Sequence, residues 1–156
     1  MKPILLIMLL AVNTVNAFSQ HSKSKETIDW SHTWIIKRAD TSRIPRVLVI
    51  GDSHVERYQP EVDKLKGKAI VNKITTSKSM GDPAFVKQLK VLLEHYEFDY
   101  IFFNNGLHGV DYTPGEYAAD LPKVLNILKR HLKTGKIFWV NTTARRVKPV
   151  SMPRLH

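Results

Sequence analysis

The sequence predicts an α/β fold with a mostly parallel sheet, and three observations predict it. Short apolar runs rich in β-branched and aromatic residues recur along the chain, helical patterns separate the later ones, and each helical pattern opens on a capping signal. Length and composition agree, since 156 residues, 43% hydrophobic and 24% charged, suit one globular domain and not a disordered tail. No internal repeat or low-complexity tract is visible.

The N-terminus reads as a leader. Met1-Lys2 supplies a short positive start, Pro3 to Val12 is almost wholly apolar, and Val15-Asn16-Ala17 offers the small residues a signal peptidase reads. That is the pattern of a secretory signal peptide over residues 1–17, cleaved after about Ala17, so a secreted or periplasmic protein is expected. The apolar run is roughly half the ~20 residues that span a bilayer, so no stable membrane anchor is expected after cleavage. The chain has no Cys, which excludes a lipid-modified cysteine and disulfides alike.

Residues 18–44 are polar, basic and poorly periodic, and read as an N-terminal arm that Trp30, Trp34, Ile35 and Ile36 pin onto a domain over 45–156. The formal charge is +10, or +9 once Lys2 leaves with the leader. Its Lys and Arg residues are scattered, with no basic stripe interleaved with aromatics, so no nucleic-acid partner is expected and a solvated basic surface is the reading.

From Arg46 the texture changes. Val47-Leu48-Val49-Ile50 is a continuous apolar run ending at Gly51, as in a parallel strand buried on both faces. Ala69-Ile70-Val71, Tyr100-Ile101-Phe102-Phe103 and Ile137-Phe138-Trp139-Val140 are the next three strands. Asp82-Pro83 starts a helix, with Asp as cap and Pro at the first helical position; Phe85, Leu89, Leu92, Leu93 and Tyr96 follow at helical spacing. Thr113-Pro114-Gly115-Glu116 fits a capping box. Tyr117, Leu121, Val124, Leu128 and Leu132 continue that helix, which Pro122 is expected to kink or divide and Thr134-Gly135 to stop.

In such sheets functional groups collect beyond the C-terminal ends of the strands. The first strand ends in Gly51-Asp52-Ser53-His54 and enters a helix at Val55-Glu56-Arg57. A Ser there stands near free helical N–H groups that favour an anion, which suits a nucleophile whose transition state is an oxyanion. The alternative is a tight turn in which Asp52 or Ser53 only caps. The third strand ends in Phe103-Asn104-Asn105-Gly106-Leu107-His108-Gly109, whose amides are oxyanion donors or simply an Asn/Gly turn. After the second strand, Ser77-Lys78-Ser79-Met80-Gly81-Asp82 carries a Gly whose N–H either serves the same site or belongs to a plain loop.

Together these three strand ends resemble the SGNH, or GDSL-type, hydrolases over about Arg46 to Lys148. Gly51-Asp52-Ser53-His54 matches the first block of that family, Gly81 the second and Asn104 or Asn105 the third. The resemblance implies a flavodoxin-like three-layer sandwich with a parallel sheet. It also implies a serine esterase acting on small esters or acylated glycans, with no cofactor. Ser53 would be the nucleophile, and Ser53 N–H, Gly81 and Asn104 would form the oxyanion hole, with Asn105 close behind.

The family ends on an Asp-x-x-His block that supplies the base. Here Pro153 stands three residues before His156 and the last Asp is Asp120, so the last strand and helix are expected to be missing. A Ser without a base is a poor nucleophile. His54 and His108, with Asp52 or Asp111, are candidate substitutes, and a ligand-binding relative without turnover is the rival reading. His21 and His32 read as part of the arm, and His95 and His131 as helix surface; the seven His show no metal-site spacing. A nucleotide- or flavin-binding module is disfavoured, because no phosphate-cradling Gly-rich loop follows the first strand. A sheet lacking an edge strand needs cover, which the arm or a second copy in a homo-oligomer would give.

Overall fold

A computed structural model describes residues 27–37, 43–108, 112–132 and 134–141. The leader, the arm up to residue 26, Asp111 and His156 lie outside them. Its elements are β1 (Ser31–Trp34), β2 (Arg46–Gly51), α1 (Ser53–Glu56), α2 (Gln59–Asp63), β3 (Ile70–Thr76), α3 (Pro83–His95), β4 (Tyr100–Asn104), α4 (Pro114–His131) and β5 (Lys136–Trp139). They form an α/β fold around one five-stranded sheet of order β1-β3-β2-β4-β5. Four strands run parallel; β1 is antiparallel to β3.

All six residues of β2 are buried, as a run without polar alternation demands of a central strand. Its side chains divide between two clusters. Leu48 and Ile50 join Ile74, Ile101 and Phe103 against Phe85, Leu89 and Leu93 of α3 and Val124 and Leu128 of α4. Val47, Val49 and Val71 face the other way, onto Val55, Tyr58 and Val62 of the α1–α2 segment. Helices therefore cover both faces, and each fully buried Leu, Ile or Phe contributes about 1.5–3 kcal/mol of transfer free energy.

The caps work as the sequence predicts. Ala84 N–H donates to Asp82 Oδ1 at 2.7 Å, with Pro83 opening α3. Glu116 N–H donates to Thr113 Oγ1 at 3.2 Å and Thr113 N–H to Glu116 Oε2 at 2.9 Å, which closes the capping box of α4. Three expectations need correction. Pro122 does not divide α4, which runs unbroken through it. Pro122 and Ala118 are both exposed, so the carbonyl that loses its donor turns to water.

The arm, second, is partly sheet. Residues 31–34 are a strand; of the residues expected to pin the arm, Ile35 packs on the core and half-buried Trp30 is tied by its backbone to Thr76 and Ser77, whereas Trp34 and Ile36 are exposed. Trp34 instead lies under Lys73 Nζ, 5.0 Å from the ring centroid. Third, the arm covers the edge of β3, the edge opposite β5, and among the described residues nothing pairs with the outer side of β5.

The arm's docking is anchored by two buried polar side chains. Fully buried Asn72 accepts from Ile36 N–H at 2.9 Å and donates to the carbonyls of Val47 and Ile70. Buried Arg46 donates to Ile36 O at 3.0 Å, with its guanidinium against the rings of Tyr96 and Phe98. Among the described residues no helix is long and apolar enough to cross a membrane.

Candidate functional site at the strand ends

The register levels the ends of the three central strands. Gly51 pairs with Thr75 of β3 on one side and with Asn104 of β4 on the other. Ser53, the Ser77–Asp82 loop and Asn105 therefore all emerge from one rim of the sheet, where a parallel α/β fold keeps its functional groups. Gly51 permits this levelling. A Cβ there would fall 2.2 Å from Val55 Cγ2 and 2.3 Å from Asn104 O, and the carbonyl cannot yield.

Asp52 organises the turn. Fully buried, it accepts from His54 N–H at 2.9 Å through Oδ1 and from Leu107 N–H at 3.0 Å through Oδ2. It thus caps α1 and ties the loop after β4 to the loop after β2. The cap alternative weighed for Asp52 is therefore what its side chain does. α1 is a single turn, Ser53–Glu56, too short to bring a strong helix dipole to bear on an anion. Ser53 is half-buried, and among the described residues its hydroxyl meets no hydrogen-bonding partner.

The two asparagines play different parts. Asn104 Nδ2 donates to the Tyr58 hydroxyl at 3.1 Å. Asn105 Nδ2 donates to Lys78 O at 3.0 Å, clamping the loop after β4 to the loop after β3, while its Oδ1 is buried without a partner among the described residues. Tyr117 Oη donates a short hydrogen bond to Asn105 O from α4. Gly81 abuts α4: a Cβ would meet Asp120 Oδ2 at 2.4 Å and Tyr112 Cε1 at 3.0 Å, so close packing alone accounts for a glycine there.

Burial, with a smaller push from the Asp52 charge, raises the Tyr117 phenol to about 12. A group whose folded pKa is raised above its unfolded value contributes stability in full below the unfolded pKa, near 10, and loses it as pH climbs toward 12. Denaturant unfolding is expected to show a fall on the order of 2 kcal/mol across that window, and Tyr117→Phe should flatten it. An equally steep fall in Tyr117→Phe would assign the loss to another group.

Sequence reasoning missed a cluster on the β1 side of the rim. His32 Nδ1 lies 2.6 Å from Glu56 Oε1, which also accepts from Thr75 Oγ1 at 3.0 Å. The His32 hydrogen bond holds the Glu56 carboxyl below its usual range. Trp30 places its ring 5.4 Å from His32 and 5.7 Å, edge-on, from His108. The substitute bases weighed from sequence fare differently: His54 Nδ1 is 3.3 Å from Asp52 Oδ1, an oxygen already taken by the His54 amide. Only the position of Glu56, one turn after Ser53, hinted at this cluster.

Two hollows border the rim. One, of about 290 Å³, is almost wholly apolar and lies under α2, against Val49, Tyr58, Phe102 and Asn104. The other, of about 520 Å³, opens beside Asn105, Gly106, Tyr117 and Trp139. Ser53 lines neither. The arrangement offers a hydroxyl, amide donors and an ionisable pair on one sheet edge, the parts acyl transfer requires. Comparison of the chain with protein-family models gives no match, and neither does comparison with curated proteins.

Proposed function

We propose that this chain is a serine carboxylic ester hydrolase of the SGNH type, acting outside the cytoplasm on small esters or acylated glycans. The observation that carries the reading is the levelled register Thr75–Gly51–Asn104, which sets Ser53 between the two segments that resemble the family's oxyanion-hole blocks. The flavodoxin-like three-layer arrangement belongs to the same reading.

In this mechanism Ser53 Oγ attacks the ester carbonyl, and the Ser53 and Gly81 N–H groups and the Asn104 amide receive the developing oxyanion. Asn104 suits the task better than Asn105. Its amide meets a tyrosine hydroxyl that can turn aside, whereas that of Asn105 is committed to the Lys78 carbonyl. Tyr58 then holds Asn104 in place between turnovers. The collapsing intermediate expels the alcohol, and water releases the acyl group.

The second reading, a relative that binds ligand without turnover, draws on one observation: Ser53 Oγ has no hydrogen-bonding partner among the described residues. Fluorophosphonate labelling separates the two. The purified chain is expected to take up the probe and to hydrolyse an aryl acetate, and Ser53→Ala to lose the label and at least ~10³-fold in turnover. A folded chain that neither labels nor turns over would favour the binding relative.

A further inference from the structure

We propose that His32, oriented by Glu56, is the general base for Ser53, so that β1 supplies the catalytic base from the N-terminal side of the chain. The inference rests on the Ser53 reading above and adds the proton acceptor that reading lacks.

The geometry begins with a row across the sheet. Gly51, Thr75 and His32 are successive register partners on β2, β3 and β1, and strands lie about 4.8 Å apart. His32 thus stands two strand spacings from the residue that launches the Ser53 turn. In register with Gly51 and Thr75, it shares their face of the sheet, the face α1 covers. Glu56 closes the gap. It lies one turn after Ser53, where side chains share a helix face with Cβ atoms about 5–6 Å apart. From there it reaches back over Thr75 to take the Thr75 hydroxyl at 3.0 Å and His32 Nδ1 at 2.6 Å.

The chemistry of the pair sets the tautomer. An ionised carboxylate only accepts hydrogen bonds, so His32 Nδ1 carries the hydrogen, and in the neutral imidazole Nε2 then keeps a lone pair. Glu56 is anchored by a second donor, so it orients the imidazole instead of following it. Trp30 and Trp34 place their rings 5.4 and 5.3 Å from that of His32 and restrict its swing. The Lys73 charge on β3 also acts on the Glu56 carboxylate, and His108 lies across Trp30. Catalytic contacts are often long before substrate binds; under this proposal Nε2 reaches Ser53 Oγ directly or through a water in the substrate complex.

The steps balance. As Ser53 Oγ bonds to the acyl carbon, its proton passes to His32 Nε2. Breaking the ester C–O bond releases an alkoxide oxygen, which takes that proton back. A water then attacks the acyl-serine, gives a proton to Nε2, and Ser53 Oγ recovers it as the carboxylic acid leaves.

The test uses the full chain and an aryl acetate, with His32→Ala and Glu56→Gln beside the unaltered protein. His32→Ala should lower kcat by about 10²–10⁴-fold, with KM little changed, and added imidazole should restore part of the rate. Glu56→Gln should lower kcat in the same direction by a smaller factor. Wild-type kcat in His32→Ala, or a loss that imidazole leaves unrepaired, overturns the proposal while the Ser53 label still stands. An unaltered chain that neither labels nor turns over overturns the Ser53 reading itself, and the base assignment with it.

Discussion

Cutting Phe103 back to alanine is expected to lower the free energy of unfolding by about 3–5 kcal/mol. The ring is fully buried in the larger cluster, stacked on Trp139 with centroids 5.1 Å apart and 6.4 Å from Phe85. Removing it deletes the transfer term and leaves a cavity bounded by two sheet strands and α3, none of which can collapse into it without breaking strand pairing. The check is urea unfolding, where the midpoint should fall at an unchanged slope. A loss below about 1 kcal/mol would mean that the cluster repacks freely and that the sheet is less rigid than its register implies. Since Asn104 follows directly, the same variant should also weaken fluorophosphonate labelling by loosening the end of β4.

Asp52→Ala is expected to cost about as much by a different route. Two part-buried backbone donors, His54 N–H and Leu107 N–H, would lose the fully buried carboxylate that accepts from them, at about 1–3 kcal/mol each. The variant removes the α1 cap and the tie between two site loops in one stroke. Labelling at Ser53 should fall further than stability alone accounts for. Asp52→Asn discriminates, because it keeps the volume and one acceptor but turns an NH₂ toward one of the donors. It should sit between wild type and Asp52→Ala in unfolding free energy. An Asp52→Asn variant as unstable as Asp52→Ala would put the weight on the charge and not on the two hydrogen bonds.

Much of this architecture was legible because its signals are local. The unbroken run at 47–50, the Asp82-Pro83 start and the Thr113/Glu116 box each state an element within a few residues, and the structure forms all three. β3 shows where local reading stops. Its pattern reads as strand only over 69–71, yet the strand runs on to Thr76, through Asn72 and Lys73. Asn72 interrupts the apolar run because its amide answers backbone groups from three segments, a need that exists only after folding. β1 was illegible for the same reason. Four residues with three exposed carry no periodic signal, and their partner lies some forty residues on.

The candidate site divides along the same line. Ser53, Gly81 and Asn104 are visible because each ends or follows a predicted strand. Tyr58 reaches the rim from the turn before α2 and Tyr117 from α4, through contacts of 46 and 12 residues' separation, and no spacing rule announces them. The His32–Glu56 pair spans 24 residues and depends on an antiparallel strand that the alternation of parallel strands and helices gives no reason to expect.

The antiparallel strand has a dynamic consequence. β1 is four residues long, mostly exposed, and among the described residues borders only β3, whereas β2 is buried along its whole length between two neighbours. Opening β1 breaks its pairing with β3 and the Ile36 hydrogen bonds to Asn72 and Arg46 but leaves the two-sided pairing of β2 intact. Its amides should therefore exchange with solvent at a free energy below that of global unfolding. When it opens, Trp30 and His32 leave the rim together while Ser53, Asp52 and Asn104 stay in place on the core. The rim is then a population, and the fraction of molecules that hold it assembled is set by the edge strand and its anchors at Asn72 and Arg46.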